Sequence, residues 1–217
     1  MSEYTIKIKL MAPCIIGAGE GFGSIIDTDI VYDDVGIPWI PAKRVKGCLR
    51  DAAIEVEEMY SKAGIRGNGV EINPAAAFGN QGSIRSAPVF FSNLYIEEYE
   101  KTRHWLTYAI ETYSTVVSQE QVLNTFTFVR SKTAMEDGVA KEHSLRTVRM
   151  VKGGISFVGR VSFAHDDPIL ERTLFMACLN FRKMGTGRNR LSKIRCRLHK
   201  GKDEIDLLKE IRNSCIN

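Results

Sequence analysis

The chain has 217 residues, 44% of them hydrophobic, enough for a core that takes roughly 70% of the unfolded chain's surface out of water. Its five cysteines (Cys14, Cys48, Cys178, Cys196, Cys215) form no C-x-x-C pair and no Cys/His cluster at zinc spacing, and no run of 18 apolar residues occurs. These features argue against a disulfide framework, a structural metal and a membrane span, and predict a cytoplasmic protein with reduced thiols.

Tyr4, Ile6, Ile8 and Leu10 alternate with polar residues and predict a first strand over 4–10. Pro41 opens a segment with Val45, Leu49, Ala52, Ala53, Val56 and Met59 spaced by three and four, which predicts a helix over about 41–62. Residues 63–86 are rich in Gly, Asn and Ser and read as an irregular insertion. Val89, Phe91 and the run through Ile96 give a second strand. Residues 103–124 suit a helix around Trp105, Tyr108, Ala109 and Thr112, but the run Thr115-Val116-Val117 opposes it, so the segment stays open. Ile155, Phe157, Gly159, Val161 and Phe163 alternate as a third strand. Asp167 and Pro168 then cap a second helix carrying Leu170, Leu174, Phe175, Ala177, Cys178 and Phe181, which Gly185 and Gly187 end. Ile194, Cys196 and Leu198 give a fourth strand, and residues 203–212 a short terminal helix. The order β-α-β-β-α-β predicts an α+β, ferredoxin-like (RRM-like) domain over 1–217 with helices on one sheet face and two insertions. The open face of such sheets receives RNA in related architectures.

The net charge of +4 predicts weak general attraction to polyanions, but the charge is sorted along the chain. Arg182 to Lys202 holds nine cations and no acid, while acids gather at Glu55, Glu57, Glu58 and at Glu97, Glu98, Glu100. Gly17, Gly19, Gly21 and Gly23 look like a dinucleotide loop. The chain that follows, Ile25, Ile26 and Ile30-Val31-Tyr32, is extended, whereas such a loop must open into a helix, so a plain turn is the better reading. In Pro41-Ala42-Lys43-Arg44-Val45-Lys46-Gly47-Cys48-Leu49-Arg50, four cations sit in the first turns of a helix. They oppose its dipole unless an anion binds there, or unless the acids after them balance a solvated face. Lys43, Lys46 and Arg50 share one helical face. Gly185-Thr186-Gly187-Arg188-Asn189-Arg190 lets backbone approach a ligand and adds two guanidinium forks, although a helix cap explains Gly185 as well. The expected RNA contacts from these basic segments include Arg182 and Lys183. His104, His143, His165 and His199 are scattered and define no acid/base pair, and Trp39 and Trp105 are expected to pack in the core, with stacking on bases the alternative.

Taken in order, these segments resemble the RAMP (repeat-associated mysterious protein) superfamily, and within it the backbone subunits of type III-like class 1 CRISPR effector complexes. The family carries an Asp-containing extended segment, a P-x-IPGSSLKGxLR stretch, a later FG before a strand, and a C-terminal glycine-rich loop. Here they correspond to Ser24-Ile25-Ile26-Asp27-Thr28-Asp29, Pro38 through Arg50, Phe78-Gly79 with Ser86 through Phe91, and Gly185 through Arg190. The region from about 125 to 152, followed by Gly153-Gly154-Ile155-Ser156-Phe157, looks like the family's thumb hairpin. Ala42-Lys43-Arg44 stands where the family has Gly-Ser-Ser, so cations replace hydroxyl contacts.

The resemblance implies a subunit that oligomerises along a CRISPR RNA guide and presents it to target RNA, beside other effector subunits and a separate nuclease. Lys43, Arg44, Lys46, Arg50, Arg188 and Arg190 would carry the guide, helped by Gly185 and Gly187 and by Arg130 and Lys132 of the thumb. The thumb hairpin, with Met135, Val139 and His143, would wedge into the duplex. No tightly bound cofactor is implied. Slicing relatives use an aspartate at the position of Asp27, with Asp29 the alternative, and magnesium for cutting. Three rivals stand beside the scaffold reading: the same subunit slicing target RNA, a guide-processing endoribonuclease of the superfamily, and a small-molecule enzyme using Gly17 to Gly23.

Overall fold

Alternation makes β1 (Glu3–Leu10) a strand with one dry face: Tyr4, Ile6, Ile8 and Leu10 are buried, and Thr5, Lys7 and Lys9 point the other way. The computed structural model describes residues 3–17, 26–64, 71–80, 87–133, 135–136, 139–140, 144–185 and 192–216. After β1 come α1 (Ala42–Lys62), α2 (Pro74–Phe78), β2 (Val89–Phe91), β3 (Tyr95–Ile96), α3 (Tyr99–Thr112) and α4 (Gln119–Phe126). Next are β4 (Thr127–Lys132), β5 (Met135–Glu136), β6 (Val139–Ala140), β7 (Arg146–Val151) and β8 (Ser156–Phe163). The chain continues with α5 (Pro168–Asn180), β9 (Lys183–Met184), β10 (Ser192–Lys200), β11 (Asp203–Glu204) and α6 (Leu207–Ile216).

β1 pairs antiparallel with β10 on one side and β8 on the other, and β2 and β3 both pair with β8. The order β11-β10-β1-β8-β2 places the four predicted strands as fourth, first, third, second, the ferredoxin-like arrangement. α1 and α5 cover one face. Val45, Leu49, Ala52 and Ala53 of α1 share a core with Leu170, Leu174 and Cys178 of α5 and with Ile6, Ile8, Phe157 and Leu198 of the sheet. The Asp167 side chain accepts from Ile169 N at 2.8 Å and fixes the start of α5, as its sequence predicts. The fold is therefore α+β and ferredoxin-like.

Local expectations fail where short polar side chains take over backbone pairing. Within 63–86 the chain is partly helical: Asn73 accepts from Ala76 N, Pro74 leads α2, and Phe78 stacks on Phe91 at 6.2 Å. The second strand breaks into β2 and β3 because Ser92 Oγ accepts from Arg160 N and Asn93 Oδ1 accepts from Ala42 N, the first amide of α1. The open segment 103–124 holds two helices, and the β-branched run lies in the turn before a Ser118/Gln121 capping box starts α4. The second helix stops at Asn180 rather than at the glycines; Phe181 is its cap, and Lys183–Met184 already pairs with β10. Residues 203–204 form a strand, so the terminal helix starts later than predicted, behind the Asp206 cap. Trp105 is 64% exposed and so lies outside the core, whereas Trp39 is half-buried against Tyr95 at 5.9 Å.

The insertion after α4 is a ribbon. β4 and β7 run antiparallel from Thr127 opposite Val151 to Lys132 opposite Arg146, and β5 and β6 pair near its tip. Only the backbone of Met135 and Val139 is described, and His143 lies outside the described residues.

Candidate nucleic-acid interface

α1 begins without the usual aids. Pro41 makes no side-chain cap, no acid stands in the first turn, and Ala42 N–H is taken by Asn93 across the fold. The first turn instead presents Lys43 and Arg44. Helical spacing then sorts the cations onto two flanks of the buried Val45-Leu49-Ala52 stripe. Arg44, Gly47, Cys48 and Asp51 lie on one flank; Lys46 and Arg50 lie on the other, where burial lowers the pKa of Lys46 and Arg50 Nε is buried with no hydrogen-bond partner among the described residues.

The first flank opens on a groove of about 480 Å³ whose lining also includes Gly17, Pro41, Lys43, Met184 and Gly185. Three distant segments thus meet: the start of the glycine series, the N-terminus of α1, and the start of the C-terminal glycine loop. Arg44 Nη2 donates to Gly17 O at 2.9 Å and holds that segment against the helix. Cys14 Sγ donates to Met184 O at 3.4 Å, and Ser192 Oγ donates to Pro13 O, which pins β9 and β10 beneath. Burial pushes the Cys14 thiol up to about 11, so it stays a packed thiol. Gly185 has φ +140°, a conformation side chains rarely adopt. Gly47 is different: it is helical, and a Cβ added there would meet nothing within 4 Å. Packing among the described residues does not require that glycine. Asp51 puts one carboxylate in the groove, beside Arg50 Nη2 at 3.9 Å.

Residues 27–30 run along the β4–β7 ribbon. Asp27 N donates to Thr147 O at 2.9 Å, Asp27 Oδ2 accepts from Thr147 N at 2.6 Å, and the carboxylate is exposed. Asp29 is 3% exposed; its Oδ1 accepts from Ile30 N at 2.8 Å and from Arg149 Nε at 3.1 Å. Arg149 also donates to Asn124 Oδ1 at 3.2 Å, tying this strand to α4 at the base of the ribbon. The two aspartates differ in kind. Asp29 is neutralised inside the fold, and Asp27 stands at the surface. Asp33 and Asp34 are structural as well: Asp33 Oδ1 accepts from Val35, Gly36 and Ile37 N, and Asp34 meets Arg103 Nη2 at 2.9 Å, which holds its carboxyl below the usual range.

Of the remaining expected contacts, Arg130 and Lys132 lie on β4, with Lys132 directly opposite Arg146. Arg182 and Lys183 are exposed at β9. Gly19, Gly21, Gly23, Gly187, Arg188 and Arg190 lie outside the described residues. Gly17, Gly47, Cys48 and Asp51 are not among the contacts singled out from sequence. Gly47 alone carries a signal there, a glycine in the interior of a helical pattern.

No protein-family model matches the sequence, and no curated protein matches it. Solved structures do match its fold. A chain in the cryo-EM structure of type III-B Cmr-beta in the apo state aligns with TM-score 0.59 and 10% identity over 93% of this chain and 98% of its own length. A chain of type III-B Cmr-beta bound to cognate target RNA aligns with TM-score 0.61 and 11% identity over 90% and 97%. At these identities the likeness is one of fold.

Proposed function

We propose that this chain is an RNA-binding backbone subunit of a type III-like CRISPR effector complex, a member of the RAMP superfamily that lines up with copies of itself along a CRISPR RNA. The observation that carries the reading is the groove in which the N-terminus of α1, Gly17 and Gly185 converge around Lys43. Among the described residues, Gly47 meets no packing and Lys43 meets no acid, at a helix start whose own N-cap residue, Pro41, offers no side-chain bond; these features suit a phosphate that approaches backbone closely. The fold shared with chains of type III-B Cmr-beta structures supports the same reading, as does the order of motifs. Contacts of this kind read no bases, so specificity would come from pairing between guide and target, with the β5–β6 hairpin opening the duplex.

The test is copurification. Expressed with a CRISPR array, the chain should carry small RNA of guide length; an RNA-free monomer with and without the array would refute the reading. Binding should weaken steeply with salt, and Arg188→Ala with Arg190→Ala should flatten that dependence.

A second reading, target slicing, is favoured by the exposure of Asp27 beside the thumb. Magnesium is commonly held by one or two carboxylates together with substrate phosphates and water, and a single surface carboxylate fits that mode. Asp27 would hold the ion, which would supply charge neutralisation at the scissile phosphate. Asp29 would have to leave its buried pair with Arg149 to do so. Asp27→Ala should abolish magnesium-dependent cutting of a paired target and leave guide binding intact.

A further inference from the structure

The cations on the sheet face away from the helices fall into two groups. Residues directly paired across antiparallel strands point to the same side. Three cations there are answered by acids: Lys7 by Glu97, Arg197 by Glu204 at 2.8 Å, and Arg160 by Glu3 at 4.0 Å. Lys9, Lys183, Lys193 and Arg195 are exposed and have no ion pair or hydrogen bond from their side chains among the described residues. Moreover they oppose one another, Lys9 across from Arg195 and Lys193 across from Lys183. Like charges set directly opposite destabilise a sheet. Of the acids at that edge, Glu204 is engaged with Arg197 and Asp206 with Lys209 N at 3.2 Å, while Asp203, paired with Lys200, is turned by alternation to the other face.

We propose that Lys9, Arg195, Lys193 and Lys183 form a second phosphate track on the open sheet face, which takes the nucleic-acid strand onward from the α1 groove. The proposal rests on the groove reading. Continuity comes from β9, where alternation turns Met184 to the groove and its neighbour Lys183 to the open face. Two rungs of cations, spaced along β10 by about 7 Å, suit a backbone that carries a charge on every unit. The fork of Arg195 matches phosphate geometry.

The track is tested by binding uridine oligonucleotides of increasing length to the full chain and to the variant Lys9→Gln/Lys193→Gln/Arg195→Gln. Wild-type affinity should rise with length beyond what the groove spans. The variant should bind short oligonucleotides as wild type does, lose the gain from length, and show a salt slope on long RNA reduced by about 0.7 for each contact removed. Because the substitutions remove opposed charges, the variant should melt no lower than wild type. Equal affinity and slope at every length would overturn the track, as would competition by a polyglutamate peptide that matches RNA of the same charge. Lys43→Gln separates the two sites: its failure to weaken short oligonucleotides would count against the groove and leave the length-dependent gain to report on the track.

Discussion

Between Asp27 and Asp34 each carboxylate meets a protein donor, whereas Lys43 and Lys46, on the next element, meet no acid among the described residues. At the base of the β4–β7 ribbon, Asp29 and Arg149 satisfy one another, and Asn124 accepts a further hydrogen bond from the guanidinium. Around the start of α1 the N-cap residue Pro41 gives no side-chain cap, and among the described residues Gly47 packs against nothing and Arg50 Nε is buried without a hydrogen-bond partner. Charge answered within the fold is architecture, and the proposed function gives the unanswered charge its partner outside the fold. The contrast assigns different consequences to mutations of similar chemistry.

The largest effect is expected at the buried pair. Arg149→Met leaves Asp29 charged and unpaired, which should cost about 3–5 kcal/mol by urea denaturation. A loss below 1 kcal/mol would erase the contrast. Lys43→Gln should do the reverse, keeping stability within about 0.5 kcal/mol of wild type while lowering RNA affinity. Gly47→Ala sharpens the comparison most, because the two readouts should move apart. Removing a helical glycine should stabilise the fold by about 0.5–1 kcal/mol, seen as a higher Tm, and the added methyl should weaken RNA binding. A variant that gains stability and keeps full affinity would mean that no strand approaches that face. The smallest effect concerns Tyr99, whose pKa is raised by burial and then by Asp33, to which it donates at 2.9 Å. A phenol with a raised folded pKa contributes stability in full below the unfolded value of about 10 and loses it as pH climbs above that. Thermal melts should therefore fall above about pH 10 in wild type and fall less in Tyr99→Phe.

Much of this fold is legible in sequence because its strands and two main helices carry clean periods. Tyr4 to Leu10 and Ile155 to Phe163 become β1 and β8, and Pro41 and Asp167 mark the starts of α1 and α5. What escapes are pieces too short for a period. α2 depends on one Asn73 cap, and the break between β2 and β3 depends on Ser92 and Asn93 bonding partners remote in sequence. Trp105 escapes for another reason: an aromatic at helical spacing reads as core, and only the tertiary fold shows that the described chain leaves it largely exposed. The site is legible in its charges but not in its geometry. Lys43, Lys46 and Arg50 do share a helical face, yet the groove opens on the flank of Gly47 and Cys48, because Met184 and Gly185 close it there. That convergence depends on β10 pairing with β1, a contact between the two ends of the chain.

The central claim is that the α1 groove holds phosphate backbone without reading bases. It is tested most directly by the salt dependence of RNA binding for wild type and Lys43→Gln on three unrelated sequences. The account predicts the same steep slope for all three, lowered by about 0.7 in the variant to an equal degree on each. An unchanged slope, or a loss confined to one sequence, would contradict it.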